Sequence, residues 1–194
     1  RGESQVMVGT QMIAKGLHFP NVTLVGVMCA DIGLFMPDFH AGEKAFQTLC
    51  QVAGRTGRGL LKGHVIVQTY SPSHYAVVAA ADQDYKGFYK EEMIYRDEHD
   101  LPPFSRLVRL IYPHTNQDRC LQEAYRLGGA LKKQKDIWGL NNVDILGPAP
   151  VYPHRLRGRY RWHMILRGDN PCSLLEKTPI PQGWVVDVDP ISVT

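Results

Sequence analysis

Two runs that are apolar on both faces, Val22 to Ala30 and His64 to Tyr70, constrain this chain more than any other feature. A strand with one wet face alternates apolar and polar residues. A strand rich in Val, Ile and Leu on both faces must be covered twice, as in a parallel sheet between helices. Gln5 to Val8 reads as a third such strand. Ala41 to Ala53 lies between the two longer runs and carries good helix formers, with Ala45, Phe46, Leu49, Val52 and Ala53 at core-facing spacing. The first third is therefore expected to be a parallel α/β unit.

Ser71, Pro72 and Ser73 end the last of these strands, and Ser73 is the expected N-cap of a helix beginning near His74. Tyr85 to Glu98 reads as a second helix that runs into Leu101-Pro102-Pro103. Beyond the prolines, Phe104 to Tyr112 reads as a strand, Gln117 to Gln134 as an amphipathic helix, and Val143 to Leu146, Tyr160 to Leu166 and Trp184 to Val188 as three more strands. A β-α-β-β-β order in about 90 residues suits a small α+β sandwich of ferredoxin-like type with one helix reduced. The expected division is 1–72, a helical connector over 73–100, and 101–194. Between Asp169 and Gln182, Pro171, Pro179 and Pro181 rule out a long helix.

Composition narrows the class. Apolar residues make up 44% of the 194 and charged residues 21%, which excludes disorder and collagen-like structure. No apolar stretch approaches the roughly 20 residues of a membrane span, and no basic-then-apolar leader opens the sequence, so a soluble cytosolic protein is expected. Cys29, Cys50, Cys120 and Cys172 form no Cys-x-x-Cys pair and read as reduced thiols. The net charge of +3 is uneven: residues 1–100 carry 9 Lys/Arg against 11 Asp/Glu, and residues 101–194 carry 13 against 8. A basic second half suits a polyanionic partner.

The run Gln51-Val52-Ala53-Gly54-Arg55-Thr56-Gly57-Arg58 carries the chemistry of the first half. Two arginines three apart, each preceded by glycine at the end of an apolar helix, present two guanidinium forks from a backbone that can turn sharply. Such forks neutralise charge building on a transferring phosphoryl group. Taken alone, the run also reads as a surface loop after a helix.

The run resembles motif VI of superfamily 2 helicases, and Val8-Gly9-Thr10-Gln11-Met12-Ile13-Ala14-Lys15-Gly16-Leu17-His18-Phe19-Pro20 resembles motif V, in family order. These two motifs, together with Ala30-Asp31, Pro37-Asp38-Phe39, Leu101 to Arg106, Leu146 to Pro150, Arg157 to Trp162 and Asp187 to Pro190, are similar to the PriA (primosomal protein N') family of bacterial replication-restart DNA helicases. The resemblance covers nearly the whole chain. It implies a partial RecA-like helicase lobe followed by a small ferredoxin-like, ribosomal S10-like module that binds forks. It further implies ATP-dependent 3'-to-5' movement on DNA, with Arg58 as arginine finger, Arg55 near the γ-phosphate and Gln51 linking nucleotide to motor closure. Gly16 and His18 would lie near the nucleotide edge, and Thr10 on a DNA phosphate, a contact without sequence preference. Residue by residue, Thr10 also reads as a hydroxyl capping the following turn, and His18 as a partly buried histidine beside Phe19.

ATP and Mg2+ are the implied cofactors, yet the sequence holds no Gly-x-x-x-x-Gly-Lys-Ser/Thr run. Alone, the chain is expected to be inactive as an ATPase. The family's zinc motifs are likewise expected only in the parent, upstream of motif V. Beginning at Arg1, the chain reads as the C-terminal fragment of a longer bacterial, nucleoid-associated protein. Forked and single-stranded DNA, single-stranded DNA-binding protein and primosome proteins are the partners the resemblance implies.

His154 to Arg167 holds Arg155, Arg157, Arg159, Arg161 and Arg167, with no acid from Ile145 through Leu166. If extended, Arg155 to Arg161 places four guanidiniums on one face as a phosphate track, with Tyr160, Trp162 and Met164 on the other face as core. The competing readings are a charge-protected edge strand or arginines paired with Asp187 and Asp189. Those two acids, lacking a third ligand nearby, read as structural and not as a metal site. Two alternatives remain open at this level: a non-catalytic DNA-binding module, or a RecG-like fork remodeller, which should lack the 157–162 and 187–190 signatures.

Overall fold

The computed structural model describes residues 5–10, 22–54 and 63–194. The chain divides into two compact units, one formed by residues up to Met36 and His40–Met93, the other by Pro37–Phe39 and Ile94–Thr194.

In the first unit, β1 (Leu24–Val27) and β2 (His64–Val67) pair in parallel, with Val25 opposite Val65 and Val27 opposite Val67. The short helix α1 (Asp31–Leu34) and α2 (Ala41–Ala53) connect them; the apolar spacing predicts α2 and gives no sign of α1. Ala45, Phe46 and Leu49 of α2 bury against Ala30, Leu34 and the small residues Ala76, Ala79 and Ala80 of α3 (Tyr75–Asp82). Phe88 of α4 (Tyr85–Glu98) stacks on Phe46 with ring centroids 4.2 Å apart.

Three expectations fail here. Among the described residues, β1 and β2 are not covered on both faces: each alternates exposed and half-buried residues, with Leu24 58% and Ile66 61% exposed, while Val27 and Val67 pack against the helical core. Residues 5–10 form no strand, and Val6 and Val8 are 80% and 90% exposed. The described sheet has two strands and gives that segment no ladder partner, and an apolar run without a partner has nothing to bury against. The cap of α3 is His74, not Ser73: its imidazole Nδ1 accepts the Ala76 N–H at 3.2 Å, the task an N-cap hydroxyl usually performs.

The second unit is a four-stranded antiparallel sheet in the order β4-β5-β3-β6, built from β3 (Arg106–His114), β4 (Val143–Leu156), β5 (Arg159–Gly168) and β6 (Val185–Val188). Helix α5 (Gln117–Trp138) connects β3 to β4, and α6 (Cys172–Lys177) connects β5 to β6. The Asn116 side chain accepts the Arg119 N–H at 2.9 Å to start α5, and Gly139, left-handed at φ 62°, ends it. Pro171 and Pro179 bracket α6, which keeps it to six residues.

Val108 and Leu110 of β3, Met164 and Leu166 of β5 and Val143 of β4 bury completely against Leu127 and Leu131 of α5 and Leu174 of α6. β4 runs ten residues past the expected Leu146 end. It carries Pro148, Pro150 and Pro153, which a central strand excludes. It lies at the sheet edge, bonded to β5 alone, where a missing N–H faces outward. Leu131→Ala removes a fully buried side chain from the centre of this layer and is expected to cost about 2–5 kcal/mol of unfolding free energy, read by urea titration. A change below about 1 kcal/mol would mean that α5 is not what holds the sheet.

Candidate nucleic-acid interface

The β4–β5 hairpin reverses in two residues, Arg157 and Gly158, both left-handed at φ 49° and 79°. Leu156 pairs with Arg159 and Arg155 with Tyr160 across it. Two successive left-handed residues match the twist of the flanking strands, and Asn-Gly fills such a turn without strain. Arg157 does not: a non-glycine residue in this conformation costs about 1–3 kcal/mol.

This reversal corrects the expectation of four arginines along one face of a single strand. Arg155 stands on β4, its guanidinium 5.2 Å from the Tyr160 ring centroid, and so shares the face of Tyr160 and Trp162. Arg159 and Arg161 alternate to the opposite face of β5, and Arg157 occupies the apex. Arg155, Arg157 and Arg159 are exposed. Arg161 is half-buried and donates from Nη2 to the Pro153 carbonyl at 2.8 Å, tying the irregular 150–155 segment of β4 to β5.

The aromatic residues also depart from the expected core role. Met164 and Leu166 are fully buried, whereas Tyr160 and Trp162 are half-buried and meet His154 and the exposed Tyr125 of α5. The sequence held one signal for Tyr125, an aromatic on the polar side of an amphipathic helix.

On the sheet face away from α5, Arg109 is 5% exposed; its Nη1 donates to the backbone oxygens of Ser192 and Thr194, both at 3.1 Å. Its Nε and Nη2 are buried without a partner, as is Nδ1 of His163. Burial first, then the positive charge of Arg161, pulls the Arg109 guanidinium below its ordinary value, against the opposing pull of Asp187 and Asp38. Burial, then Arg109 and Arg161, pushes His163 down to about 4, so its ring is neutral at pH 7. Of the two acids near the C-terminus, Asp187 sits opposite Arg109 on β6, while Asp189 lies past the strand end at φ 50° and pairs with Arg106 at 2.6 Å.

Of the residues the motor motifs single out, Gln51 is exposed in the last turn of α2. Thr10 is exposed in an irregular segment. Gly16, His18, Arg55 and Arg58 lie outside the described residues. Asp31, noted in the sequence only as part of a motif, accepts the Thr69 hydroxyl at 3.0 Å and the Tyr70 N–H at 3.1 Å, fixing the end of β2 to the start of α1. Among the described residues, no group of three or more His, Cys, Asp or Glu could hold a metal ion, and no helix is long and apolar enough to cross a membrane.

A family model described as the primosomal protein N C-terminal domain matches residues 97–191, the whole sheet of the second unit. Relatives named replication restart protein PriA match further: 39% identity over 99% of this chain in Treponema pallidum, 42% over 86% in Bacillus subtilis, and 37% over 100% in Synechocystis. The chain belongs to the PriA family. It spans 30%, 20% and 24% of the lengths of those three PriA relatives, respectively.

Two outcomes follow from this PriA-family hairpin and sheet. Arg157→Asn relieves the left-handed strain, so the thermal midpoint should rise while affinity for DNA falls at the same salt concentration; a variant more stable and equally tight would leave the arginine without a reason to be there. His163 has a folded-state pKa below its unfolded value of 6.5. The unfolded chain therefore takes up the proton first, and stability present above pH 6.5 is lost as pH falls toward 4. His163→Gln should flatten that part of the stability profile. An unchanged slope would place the lost stability on other groups.

Proposed function

We propose that this chain is the C-terminal part of an ATP-dependent 3'-to-5' DNA helicase that recognises stalled replication forks and restarts replication. The first unit supplies the latter part of a RecA-like lobe, and the second is a ferredoxin-like module that presents the arginine hairpin to DNA. The β-α-β-β-α-β order with strand order β4-β5-β3-β6 supports the second assignment, and the parallel β1–β2 pair, joined through α1 and α2 and packed on the helices through Val27 and Val67, supports the first.

One observation carries the DNA-binding reading. Arg155, Arg157 and Arg159 stand exposed around one two-residue turn, in a stretch from Ile145 through Leu166 that contains no carboxylate to neutralise them. A duplex or single strand supplies the countercharge, and its phosphates position the module without reading sequence. Single-stranded DNA-binding protein and other primosome proteins are partners that the family membership suggests.

ATP with Mg2+ would supply the free energy of movement. In this reading Arg55 and Arg58 complete a nucleotide site whose phosphate cradle and acidic residues belong to the parent outside these 194 residues, with Gln51 at its edge and Thr10 on the DNA track.

Equilibrium binding of labelled forked DNA across a salt series tests the hairpin. The unaltered chain should lose affinity steeply with salt, and a variant with Arg155, Arg157 and Arg159 changed to Ala should bind weakly with a slope reduced by roughly one to three. Equal affinity and slope in both would return the arginines to a structural role. For the motor, Arg58→Ala in the full-length parent should lower ATP turnover by roughly 10³-fold or more while DNA binding is kept; unchanged turnover would sink the finger assignment.

A further inference from the structure

The hairpin holds more than charge. His154, Arg155, Tyr160 and Trp162 of the two strands and Tyr125 of α5 form one connected group of rings and guanidinium beside the basic turn. Tyr125 and Trp162 lie with centroids 6.3 Å apart at 49°, His154 and Trp162 6.1 Å apart at 81°, and His154 and Tyr160 5.4 Å apart at 59°. None of the three pairs is parallel, so no ring in them lies flat against another. Tyr125 is 58% exposed, and Arg155 already lies over the Tyr160 ring.

We propose that this group is a stacking site for unpaired bases, so that the second unit grips single-stranded DNA at its bases as well as its phosphates. The inference rests on the DNA-binding reading of the same hairpin and deepens it. A base within a duplex has both faces covered by its neighbours and cannot stack on a protein ring, whereas an unpaired base can, whatever its identity. Arginines at the rim attract the backbone and aromatic rings set at angles receive the bases, the two components of sequence-tolerant single-strand binding. The site also explains why Tyr160 and Trp162 stop short of full burial while Met164 and Leu166, on the same strand face, are sealed beneath α5.

Anisotropy titration of the 194-residue chain with a labelled twelve-nucleotide oligothymidylate, and with an abasic strand of the same length, separates bases from phosphates. The chain should bind oligothymidylate roughly tenfold tighter than the abasic strand, the scale of one or two stacked bases. The pair Tyr125→Ala and Tyr160→Leu should bring the two affinities within about twofold, while Arg155→Ala with Arg159→Ala should weaken both strands together. Tyr125→Ala alone, at an exposed helix position, gives the same reading if the double variant melts early. Equal affinity of the unaltered chain for both strands overturns the stacking site and leaves phosphate binding standing. Binding of neither strand overturns the DNA-binding reading and this inference with it.

Discussion

The layer in which Val108, Leu110, Met164 and Leu166 of the central strands lie beneath Leu127 and Leu131 of α5 is what the rest of the second unit depends on. Its side chains are inaccessible to water, and each contributes on the order of 1.5–3 kcal/mol by burial. That anchorage lets β4 and β5 run outward past the helix to a two-residue turn. A bare two-stranded hairpin is at best marginally stable in water. Here it is the extension of a packed sheet, so the turn can hold a residue in a conformation that costs energy. Arg157 sits where Asn would sit more easily, and the core beneath supplies the margin.

Charge is handled differently on the two faces of the sheet. Toward α5 the layer is apolar until it reaches the aromatic group near the turn. On the other face Arg109, His163 and Arg161 crowd together, and the chain keeps His163 neutral while aligning Asp187 beside Arg109 on the neighbouring strand. The basic character of the second half is thus divided. Some of it is locked into the sheet, three exposed arginines stand at the hairpin, and the rest lies along α5 and at Arg106 and Lys177.

Much of this was legible because periodicity reports burial. Ala41 to Ala53 and Tyr85 to Glu98 form helices with the expected bounds, and every strand expected beyond Leu101 is present. The failures share a cause, the need for information about neighbours. Residues 5–10 read as strand because they are apolar, but a strand needs a partner. The strand starting at Val143 read as ending at Leu146, although β4 continues through three prolines to Leu156 at the sheet edge, and nothing local tells edge from centre. The arginine alternation from 155 to 161 fits one extended segment as well as it fits a tight reversal. Arg157-Gly158 is a weak turn signal, since arginine is not a residue that left-handed turns favour. Tyr125 and His154 could not be joined to Trp162 without the packing of α5 on the sheet. The motor assignments rest on motif order and family membership, since Arg55 and Arg58 lie outside the described residues.

Backbone hydrogen exchange of this chain, with and without forked DNA, tests most directly whether the hairpin is the surface that meets nucleic acid. DNA should slow exchange in peptides spanning Tyr152 to Arg161 and in the part of α5 around Tyr125, and leave the exposed end of α5 near Trp138 unchanged. Protection confined to other surfaces, with the hairpin exchanging as fast as in the free chain, would contradict the account.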